Sequence, residues 1–308
     1  MKRKAKRMKP STTNRYRRAL ASRILPELGH LTLDELERQH VLEWVEAAES
    51  AEKECGERYA TATVQGWWRV FLQVLKDAHA DGKLSGEVWR RIDAPDTGVR
   101  RRREQRTLTA DELADLVEIC RGSYPQRYAE VATLGYTGLR AGELYALEWD
   151  DIDLTRGRIV VSKSVWRAEH VTSTKTQDPR RVAAPDLVVD ALEQHRERLM
   201  REQHPGLEQG LAFPADGGGY RLPQSIGKTL RAIEDDVETD VHLTPQVLRR
   251  TYNDLLRKAQ VDRIVLREQM GHTDEPMTER YSSVDFDEKR DAVTRVFDEP
   301  REKGGESG

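Results

Sequence analysis

At 308 residues the chain is long enough for about two domains. Its formal net charge of −3 does not by itself indicate a nucleic-acid partner. It contains no apolar run near the roughly 18 residues of a membrane helix, and no apolar stretch follows the basic N-terminus, so we expect no signal peptide. The two cysteines, Cys55 and Cys120, lack metal-ligand spacing, and we interpret them as reduced thiols of a cytoplasmic protein.

Positive charge is concentrated in two segments of the chain. The first 23 residues hold ten Lys or Arg and no acidic residue, and residues 100–106 hold five Arg and one Glu. A basic run is often a solvated tail, and the N-terminal run fits that interpretation as well as it fits DNA binding. The charge distribution is therefore compatible with DNA binding but does not establish it.

The first part of the chain, roughly residues 12–95, has the pattern of a helical domain. A short basic amphipathic stretch from Asn14 to Ile24 predicts the first helix, and Pro26 and Gly29 are expected to end it. The basic face of this helix is compatible with either solvent or DNA.

Two further helices are predicted in this part. Thr32 and Glu35 have the spacing of a capping box, which predicts that a helix begins there. Its apolar positions are Leu36, Val41, Trp44 and Val45. The next helix, which Gly82 ends, has apolar residues at three- and four-residue spacings, namely Val64, Trp67, Trp68, Phe71, Leu72 and Leu75. Adjacent residues cannot share one helix face, so one of Trp67 and Trp68 is expected in the core; the other faces the core by default, or else DNA or a partner.

Residues 93–106 have the composition of a linker. Pro95, Asp96 and Gly98 disfavour regular structure, and the run from Arg100 to Arg103 follows them. An Arg-rich strap between two domains can lie along a phosphate backbone and supply salt-dependent affinity without reading sequence.

The second part begins at Thr109, which forms another predicted capping box with Glu112. After that first helix, helices are predicted at residues 126–136, 141–148, 185–201, 224–237, 244–259, 261–270 and 286–297. Alternating patterns at residues 153–162 and 171–183 predict a small sheet. The Gly-rich segment from Asp216 to Gly219 lacks the Lys-Ser/Thr of a phosphate-binding loop and is predicted to be a turn.

Four motifs in this second part contain the residue types that phosphodiester cleavage needs. The reaction requires a nucleophile, cations that neutralise the phosphate oxygens, and an acid for the leaving oxygen. In chain order the motifs are Thr137 to Leu144, continuing through Trp149 to Asp153; Thr174-Lys175-Thr176 with Arg180-Arg181; Leu243 to Tyr252; and Met270 to Thr273 followed by Thr278 to Tyr281. No single motif indicates the chemistry alone; their order and spacing together do.

Together these motifs resemble those of the tyrosine recombinases (phage integrases), over residues 137–281. The resemblance implies that the arginines grip the scissile phosphate, that a hairpin lysine protonates the leaving 5′ oxygen, that a histidine binds a phosphate oxygen, and that a tyrosine attacks phosphorus. The matching residues are Arg140 and Arg249, Lys175, His272 and Tyr281. Tyr281 would form a 3′-phosphotyrosyl link to DNA.

Other residues complete this predicted site. Glu143, one turn after Arg140, is expected to orient that arginine or its helix; the alternative is a surface ion pair worth a few tenths of a kcal/mol. Lys163, on the preceding strand, is the alternative to Lys175. Candidate DNA-binding arginines are Arg100, Arg101, Arg102, Arg103, Arg180 and Arg181.

The chain departs from the family pattern at Gln246. The family motif His-x-x-Arg has its histidine three residues before the second arginine, and Gln246 stands there, three residues before Arg249. A glutamine donates a hydrogen bond but does not exchange a proton near neutral pH. The assignment of a general base is therefore open. The departure is compatible with slower chemistry, with a substitute base such as a water or His242, or with an inactive variant; we expect retained activity because every other motif position is present.

The resemblance implies a mainly α fold with a small antiparallel β-sheet. A helical, SAM-like core-binding domain and an α+β catalytic domain would form a C-shaped clamp on DNA. The expected divisions are a basic tail (1–11), the core-binding domain (12–95), the Arg-rich linker (96–106), the catalytic domain (107–285), and a C-terminal helix and tail (286–308). The stretch from Ile24 to Leu31 resembles the opening of the core-binding domain, and we expect no separate arm-binding domain before it. The C-terminal helix would pack either on its own domain or on a neighbouring protomer.

The resemblance implies a site-specific recombinase that acts on double-stranded DNA as a tetramer, through a Holliday junction, without ATP or a metal. Integration and excision of a phage or mobile element is the favoured role, with an accessory DNA-bending or directionality protein as a further partner. A Xer-like multimer resolvase and a catalytically silent DNA-binding relative are the alternatives. A helical transcription regulator would leave the ordered motifs unexplained. The expected location is the cytoplasm of a bacterium or phage-infected host, in association with the nucleoid.

Overall fold

The computed structural model describes residues 8, 10–99, 106–167, 170–173, 179–271 and 285–298. Contacts divide the chain into two compact units, Met1–Glu104 and Gln105–Gly308. Within the described ranges no helix combines the length and apolar character required to cross a bilayer.

The first unit is helical. Its helices are α1 (Pro10–Ala19), α2 (Leu25–Leu28), α3 (Arg38–Ser50) and α4 (Thr61–Ala80), with a π-helical turn at Leu20–Ile24 between the first two. The first helical stretch is longer than predicted: it begins at Pro10 and continues past Pro26. Pro26 lies in the first turn of α2, directly after the π-helical turn, where the fixed φ of proline suits the start of a helix. Gly29 ends the stretch, as predicted.

Helix α3 begins later than the capping-box pattern predicted. The Thr32 amide does donate to the Glu35 carboxylate at 2.8 Å, but this contact closes an isolated turn. The cap of α3 is formed by Glu37, whose amide donates to Nδ1 of His40 at 3.0 Å. The predicted start was wrong because the same three-residue pairing stabilises a turn as well as a helix end.

Aromatic residues build the core of the first unit. The indole of Trp44 packs against Trp68, with ring centroids 6.1 Å apart, and both side chains are buried. Trp67, at the preceding helix position, is half-buried. Its ring centroid lies 4.9 Å from that of Tyr59 and 4.5 Å from Cζ of the Arg23 guanidinium. Trp68 is therefore the core residue of the pair, as one of the two was predicted to be.

The first half of the predicted linker is attached to the first unit. Thr97 Oγ1 donates to the Tyr59 carbonyl at 2.8 Å, and the Thr61 amide donates to the Val99 carbonyl at 3.1 Å. Asp96 accepts a hydrogen bond from Thr61 Oγ1 at 2.7 Å. The run Arg100–Arg103 lies outside the described residues.

The second unit combines helices with short strands. In chain order the elements are α5 (Ala110–Ser123), α6 (Tyr128–Thr137), α7 (Ala141–Leu144), β1 (Ile152–Asp153), β2 (Arg158–Val161), β3 (Lys163–Arg167), β4 (His170–Ser173), β5 (Arg180–Ala183), α8 (Asp186–Arg201), α9 (Gln224–Ala232), α10 (Pro245–Lys258), α11 (Arg263–Met270) and α12 (Phe286–Phe297). Strands β1, β2 and β5 form one antiparallel sheet in that spatial order, and β3 and β4 form an antiparallel hairpin. The mainly α fold with a small antiparallel sheet is thus confirmed.

Most element positions in this unit follow the sequence pattern. The capping box before α5 is confirmed: the Thr109 amide donates to Glu112 at 2.6 Å, and the Glu112 amide donates to Thr109 Oγ1 at 3.1 Å. The helix predicted over 141–148 was too long, since α7 ends at Leu144. The Gly-rich segment is a turn, closed by the Ala215 amide and the Gly219 carbonyl at 2.8 Å.

Helix α6 is the centre of this unit. All its residues are buried, and it packs against α5, α8 and α10. The C-terminal helix α12 packs on β5 and α11 of the same unit. Its Phe297 stacks on Tyr252 of α10 at 5.7 Å, and its Lys289 pairs with Glu268 of α11 at 2.8 Å. The core therefore fixes the ends of α6, α10 and α11 relative to one another.

Candidate active site

Arg140 lies directly after α6, in a chain reversal that begins at Gly138. Gly138 has a left-handed conformation with φ of 65°. A Cβ placed there would come within 2.5 Å of Cδ1 of Tyr252, so the position accepts only glycine without rearrangement. This reversal ends α6 and places Arg140 as the residue that precedes α7.

Glu143, in α7, is the anchor of Arg140. Its carboxylate accepts from the Arg140 amide at 3.0 Å and from an Arg140 guanidinium nitrogen at 2.8 Å. It also accepts from both terminal nitrogens of Arg180, at 2.6 and 3.2 Å. The Glu143 side chain is only 4% exposed, whereas that of Arg140 is 49% exposed. The pair is therefore not a surface ion pair; a buried carboxylate orients a half-exposed guanidinium.

Glu143 is held in its ionised form. Burial alone would raise the pKa of this carboxyl, but the hydrogen bonds and charges of Arg180 and Arg140 outweigh burial and lower the pKa to about 2. Glu143 therefore carries its negative charge throughout the neutral range.

Arg249, in α10, joins the ends of two other helices. Its two terminal nitrogens donate to the carbonyls of Gly138 and Met270, at the C-terminal ends of α6 and α11. A cation is favourable there because helix C-termini carry unpaired carbonyls and partial negative charge. Burial and the nearby positive charge of Arg140 lower the Arg249 pKa to about 10, which leaves it protonated at neutral pH.

The segment that leads out of α11 is fixed against β5. Gly271 has φ of 63°, and a Cβ there would lie 2.8 Å from Cδ of Arg180. Gln269 is fully buried and bonds both backbone groups of Ala183: its Oε1 accepts from the amide at 2.9 Å and its Nε2 donates to the carbonyl at 3.2 Å. Sequence reasoning did not single out Gln269, because a glutamine on an otherwise apolar helix face carries no functional pattern.

The β3–β4 hairpin packs against the turn that follows Arg140. A Cβ on Gly142 would lie 2.6 Å from the Val165 carbonyl oxygen and 2.7 Å from Oγ of Ser164, both on β3. The turn that follows Arg140 therefore contacts β3 with no room for a side chain at Gly142.

Three arginines and one carboxylate make this cluster electropositive. Arg140 and Arg180 both pair with Glu143, and, after burial, the positive charges of Arg140 and Arg180 contribute to the lowered pKa of Arg249. A guanidinium that retains free N–H groups pairs well with the two non-bridging oxygens of a phosphodiester. Among the described residues, no group of three or more His, Cys, Asp or Glu could hold a metal ion.

Apart from the arginines of β5, three of the remaining predicted site residues lie in the described part of the chain and the others lie outside it. Gln246 is exposed on the first turn of α10, one turn before Arg249. His242, the alternative base, lies with Nδ1 2.7 Å from Glu234 Oε1. Lys163 pairs with Glu148 at 2.5 Å, a hydrogen bond that raises the lysine pKa. Lys175, His272, Tyr281 and the arginines 100–103 lie outside the described residues, so their roles stay predictions.

Two predicted DNA-binding arginines differ in environment. Arg181 is exposed on β5, where its carbonyl accepts from Lys289 at 3.3 Å. Arg180 is instead turned onto Glu143 and is 13% exposed. Sequence spacing could not reveal the Arg180–Glu143 contact, because the two residues belong to separate elements brought together only by the fold.

The sequence of this chain is similar to those of known integrases and recombinases. The chain is 26% identical over 152 residues to an integrase of Staphylococcus phage L54a, which covers 46% of this chain and 43% of that protein. It is 25% identical over 187 residues to the tyrosine recombinase XerC of Halalkalibacterium halodurans, covering 60% of this chain and 59% of that protein. The chain thus spans about half the length of these curated relatives.

Solved structures with the same fold cover nearly the whole chain. An integrase of the Tn1549 transposon, solved in complex with transposon right end DNA, superimposes with a TM-score of 0.70 at 20% identity over 96% of each chain. A lambda integrase dimer bound to a core site gives a TM-score of 0.66 at 15% identity, over 92% of this chain and 96% of that one.

Family models match part of each unit. The model of the N-terminal SAM-like domain of phage integrases matches residues 1–47, within the helical first unit. The phage integrase family model matches residues 106–288, which contain Arg140, Glu143, Gln246 and Arg249. The match covers more than half of the chain, and the protein belongs to the phage integrase family of tyrosine recombinases.

Proposed function

We propose that this chain is a site-specific recombinase that cuts and rejoins double-stranded DNA through a 3′-phosphotyrosyl intermediate. The observation that carries the proposal is the pairing of Arg140 with the buried carboxylate of Glu143, beside a buried Arg249 close enough for the charges of both groups to affect its pKa. Cationic groups held in place before the substrate arrives stabilise the charge of a phosphoryl-transfer transition state without further reorganisation.

The two arginines would divide the work. Arg140 is half-exposed and can offer its guanidinium to the non-bridging oxygens of the scissile phosphate. Arg249 is buried, and its described hydrogen bonds use two of its five N–H donors. It therefore fixes the reversal before Arg140 and the end of α11, and retains donors for the phosphate.

The covalent chemistry would come from the residues matched by the family motifs. Tyr281 passes its phenolic proton to a water and attacks phosphorus; the 5′ oxygen leaves and is protonated by Lys175, while His272 donates a hydrogen bond to the phosphate. The phosphotyrosyl bond conserves the energy of the broken phosphodiester, so rejoining needs no ATP. Gln246 lies one helical turn from Arg249 and would donate a hydrogen bond to the phosphate in place of the family histidine.

We further propose that four protomers act on two sites through a Holliday junction, in the cytoplasm and in association with the nucleoid. The first unit, the linker arginines 100–103 and the exposed Arg181 would contact DNA. Integration and excision of a phage or mobile element is the favoured role, supported by similarity to a phage integrase and by the fold shared with a transposon integrase. Multimer resolution is the alternative, supported by the similarity to XerC.

A second candidate is a DNA-binding relative without catalytic activity. The specific observation that favours it is Gln246, which cannot act as a proton donor and acceptor near neutral pH. The first candidate is preferred because Glu143 still holds Arg140, an arrangement that DNA binding alone would not require.

A nicked suicide duplex distinguishes the two candidates. A binding site is first selected from a pool of random duplexes. It is then synthesised with a nick just downstream of the cleavage point, so that the short fragment with the free 5′ hydroxyl diffuses away after cleavage. The wild-type protein should form a covalent adduct that survives denaturation, and Tyr281→Phe should bind equally well without forming it. The absence of an adduct on a well-bound site would refute the recombinase proposal, and an adduct with Tyr281→Phe would refute the choice of nucleophile.

A further inference from the structure

Arg180 begins β5, five positions after Lys175 in the sequence, yet its guanidinium does not lie at the surface. Both terminal nitrogens donate to Glu143, at 2.6 and 3.2 Å, one to each carboxylate oxygen. The side chain is 13% exposed. This bidentate pairing of guanidinium and carboxylate is stronger and more directional than a single hydrogen bond.

The same side chain also touches the segment that leads to His272. A Cβ on Gly271 would fall 2.8 Å from Cδ and 2.9 Å from Nε of Arg180. Gly271 is in the left-handed conformation that ends α11. Arg180 therefore fills the space between the end of α11 and the buried carboxylate of Glu143.

Arg180 and Arg140 share one carboxylate. Arg140 gives Glu143 one guanidinium nitrogen and its own amide, whereas Arg180 gives two guanidinium nitrogens. A buried carboxylate is costly unless it is fully paired. Without Arg180, Glu143 would have to draw on the Arg140 guanidinium alone, which would turn that group inward and away from a phosphate.

We propose that Arg180 is a positioning residue that neutralises Glu143 so that Arg140 stays available to the scissile phosphate, and that Arg180 does not itself contact DNA. This inference rests on the proposed recombinase function for its kinetic consequence. It departs from the expectation, based on sequence, that Arg180 binds the DNA backbone.

Loss of Arg180 should make the site sensitive to pH. The charged groups that face Glu143 are Arg180 on β5, Arg140 before α7, and Arg249 on α10. Loss of Arg180 removes the largest influence that lowers the Glu143 pKa, while burial continues to raise it. The carboxyl would then become protonated as the pH falls toward mildly acidic values, and a neutral carboxyl would no longer hold Arg140 by charge.

The test compares Arg180→Met with wild type on the nicked suicide duplex, at saturating protein so that only the bound state is followed. Arg180→Met should bind the duplex with unchanged affinity and salt dependence but cleave it on the order of 100-fold more slowly, because small displacements of a catalytic group have effects of that size. The loss should be larger at pH 6 than at pH 8. Arg180→Lys keeps the charge without the bidentate pairing, and should lose less rate and show a weaker pH dependence.

The double variant Arg180→Met, Glu143→Gln decides whether the new pH dependence belongs to Glu143. It should cleave slowly at all pH values, with the acidic loss of Arg180→Met gone. The proposal is overturned if Arg180→Met cleaves bound DNA at the wild-type rate. It is also overturned if Arg180→Met weakens DNA binding and makes the slope of log affinity against log salt concentration shallower by about one, as loss of a phosphate contact would.

A measurement that needs no activity keeps this proposal separate from the proposed function. Hydrogen exchange of the segment 138–145 should be faster in Arg180→Met than in Arg181→Met, which removes an exposed charge from the next residue of the same strand. Exchange in α8 reports whether each variant is folded, and Arg180→Lys replaces Arg180→Met if that variant is not. If the wild-type protein forms no covalent adduct, only the proposed recombinase function is refuted. If hydrogen exchange of the segment 138–145 is equal in Arg180→Met and Arg181→Met, the positioning role of Arg180 is refuted.

Discussion

Replacement of Glu143 by glutamine should destabilise the second unit by about 3 kcal/mol at pH 7. Glutamine has nearly the same shape as a protonated glutamate, so the variant imitates the neutral form of the site. The Glu143 pKa is lowered from an ordinary 4.5 to about 2. Each unit of difference between the two pKa values corresponds to about 1.4 kcal/mol of free energy in favour of the charged form. The folded protein therefore loses this stabilisation when the charge is removed.

The sign of the effect fixes its pH dependence. Because the pKa is lower in the folded state, the contribution is complete above pH 4.5 and is lost as the pH falls toward 2. The difference between wild type and Glu143→Gln should shrink from about 3 kcal/mol at pH 7 to about 1.5 kcal/mol at pH 3.

Urea-dependent hydrogen exchange of peptides from α6 measures the stability of the second unit by itself. Glu118→Gln is the matched control: it removes a carboxylate in the same unit that lies 3.5 Å from Arg121 but is 70% exposed. That control should change stability by less than about 0.5 kcal/mol. A Glu143→Gln variant as stable as the control, or one whose loss of stability is the same at pH 7 and pH 3, would refute a stabilising charge on Glu143.

Two further substitutions test the geometry around the arginines. Gly138→Ala should destabilise the second unit by about 2–4 kcal/mol, from left-handed strain and the clash with Tyr252, whereas Gly210→Ala, with φ of 68° and open space, should cost only about 1–2 kcal/mol; equal losses in urea unfolding would contradict the clash. Gln246→His should form the covalent adduct at an equal or higher rate, and because the position is exposed its stability should change by less than about 0.5 kcal/mol. A clear fall in the rate of adduct formation would show that Gln246 has a role of its own beside Arg249.

The sequence by itself determined the features that depend on neighbouring residues. The cap of α5 at Thr109 and the bounds of α12 follow from side-chain and backbone interactions within one or two turns. The order of the motifs around Arg140 and Arg249 was likewise enough to place the chain in its family. Where one local pattern stabilises two structures, as at Thr32, the prediction failed.

The tertiary structure decided what the predicted residues touch. That Glu143 is buried and shared by two arginines, and that Arg249 joins the ends of α6 and α11, depends on contacts between elements far apart in the chain. Such contacts leave no periodicity or spacing in the sequence, so Arg180 had the same pattern as any exposed basic residue. Its partner became visible only when packing removed both groups from water, because a buried charge must be paired where it lies.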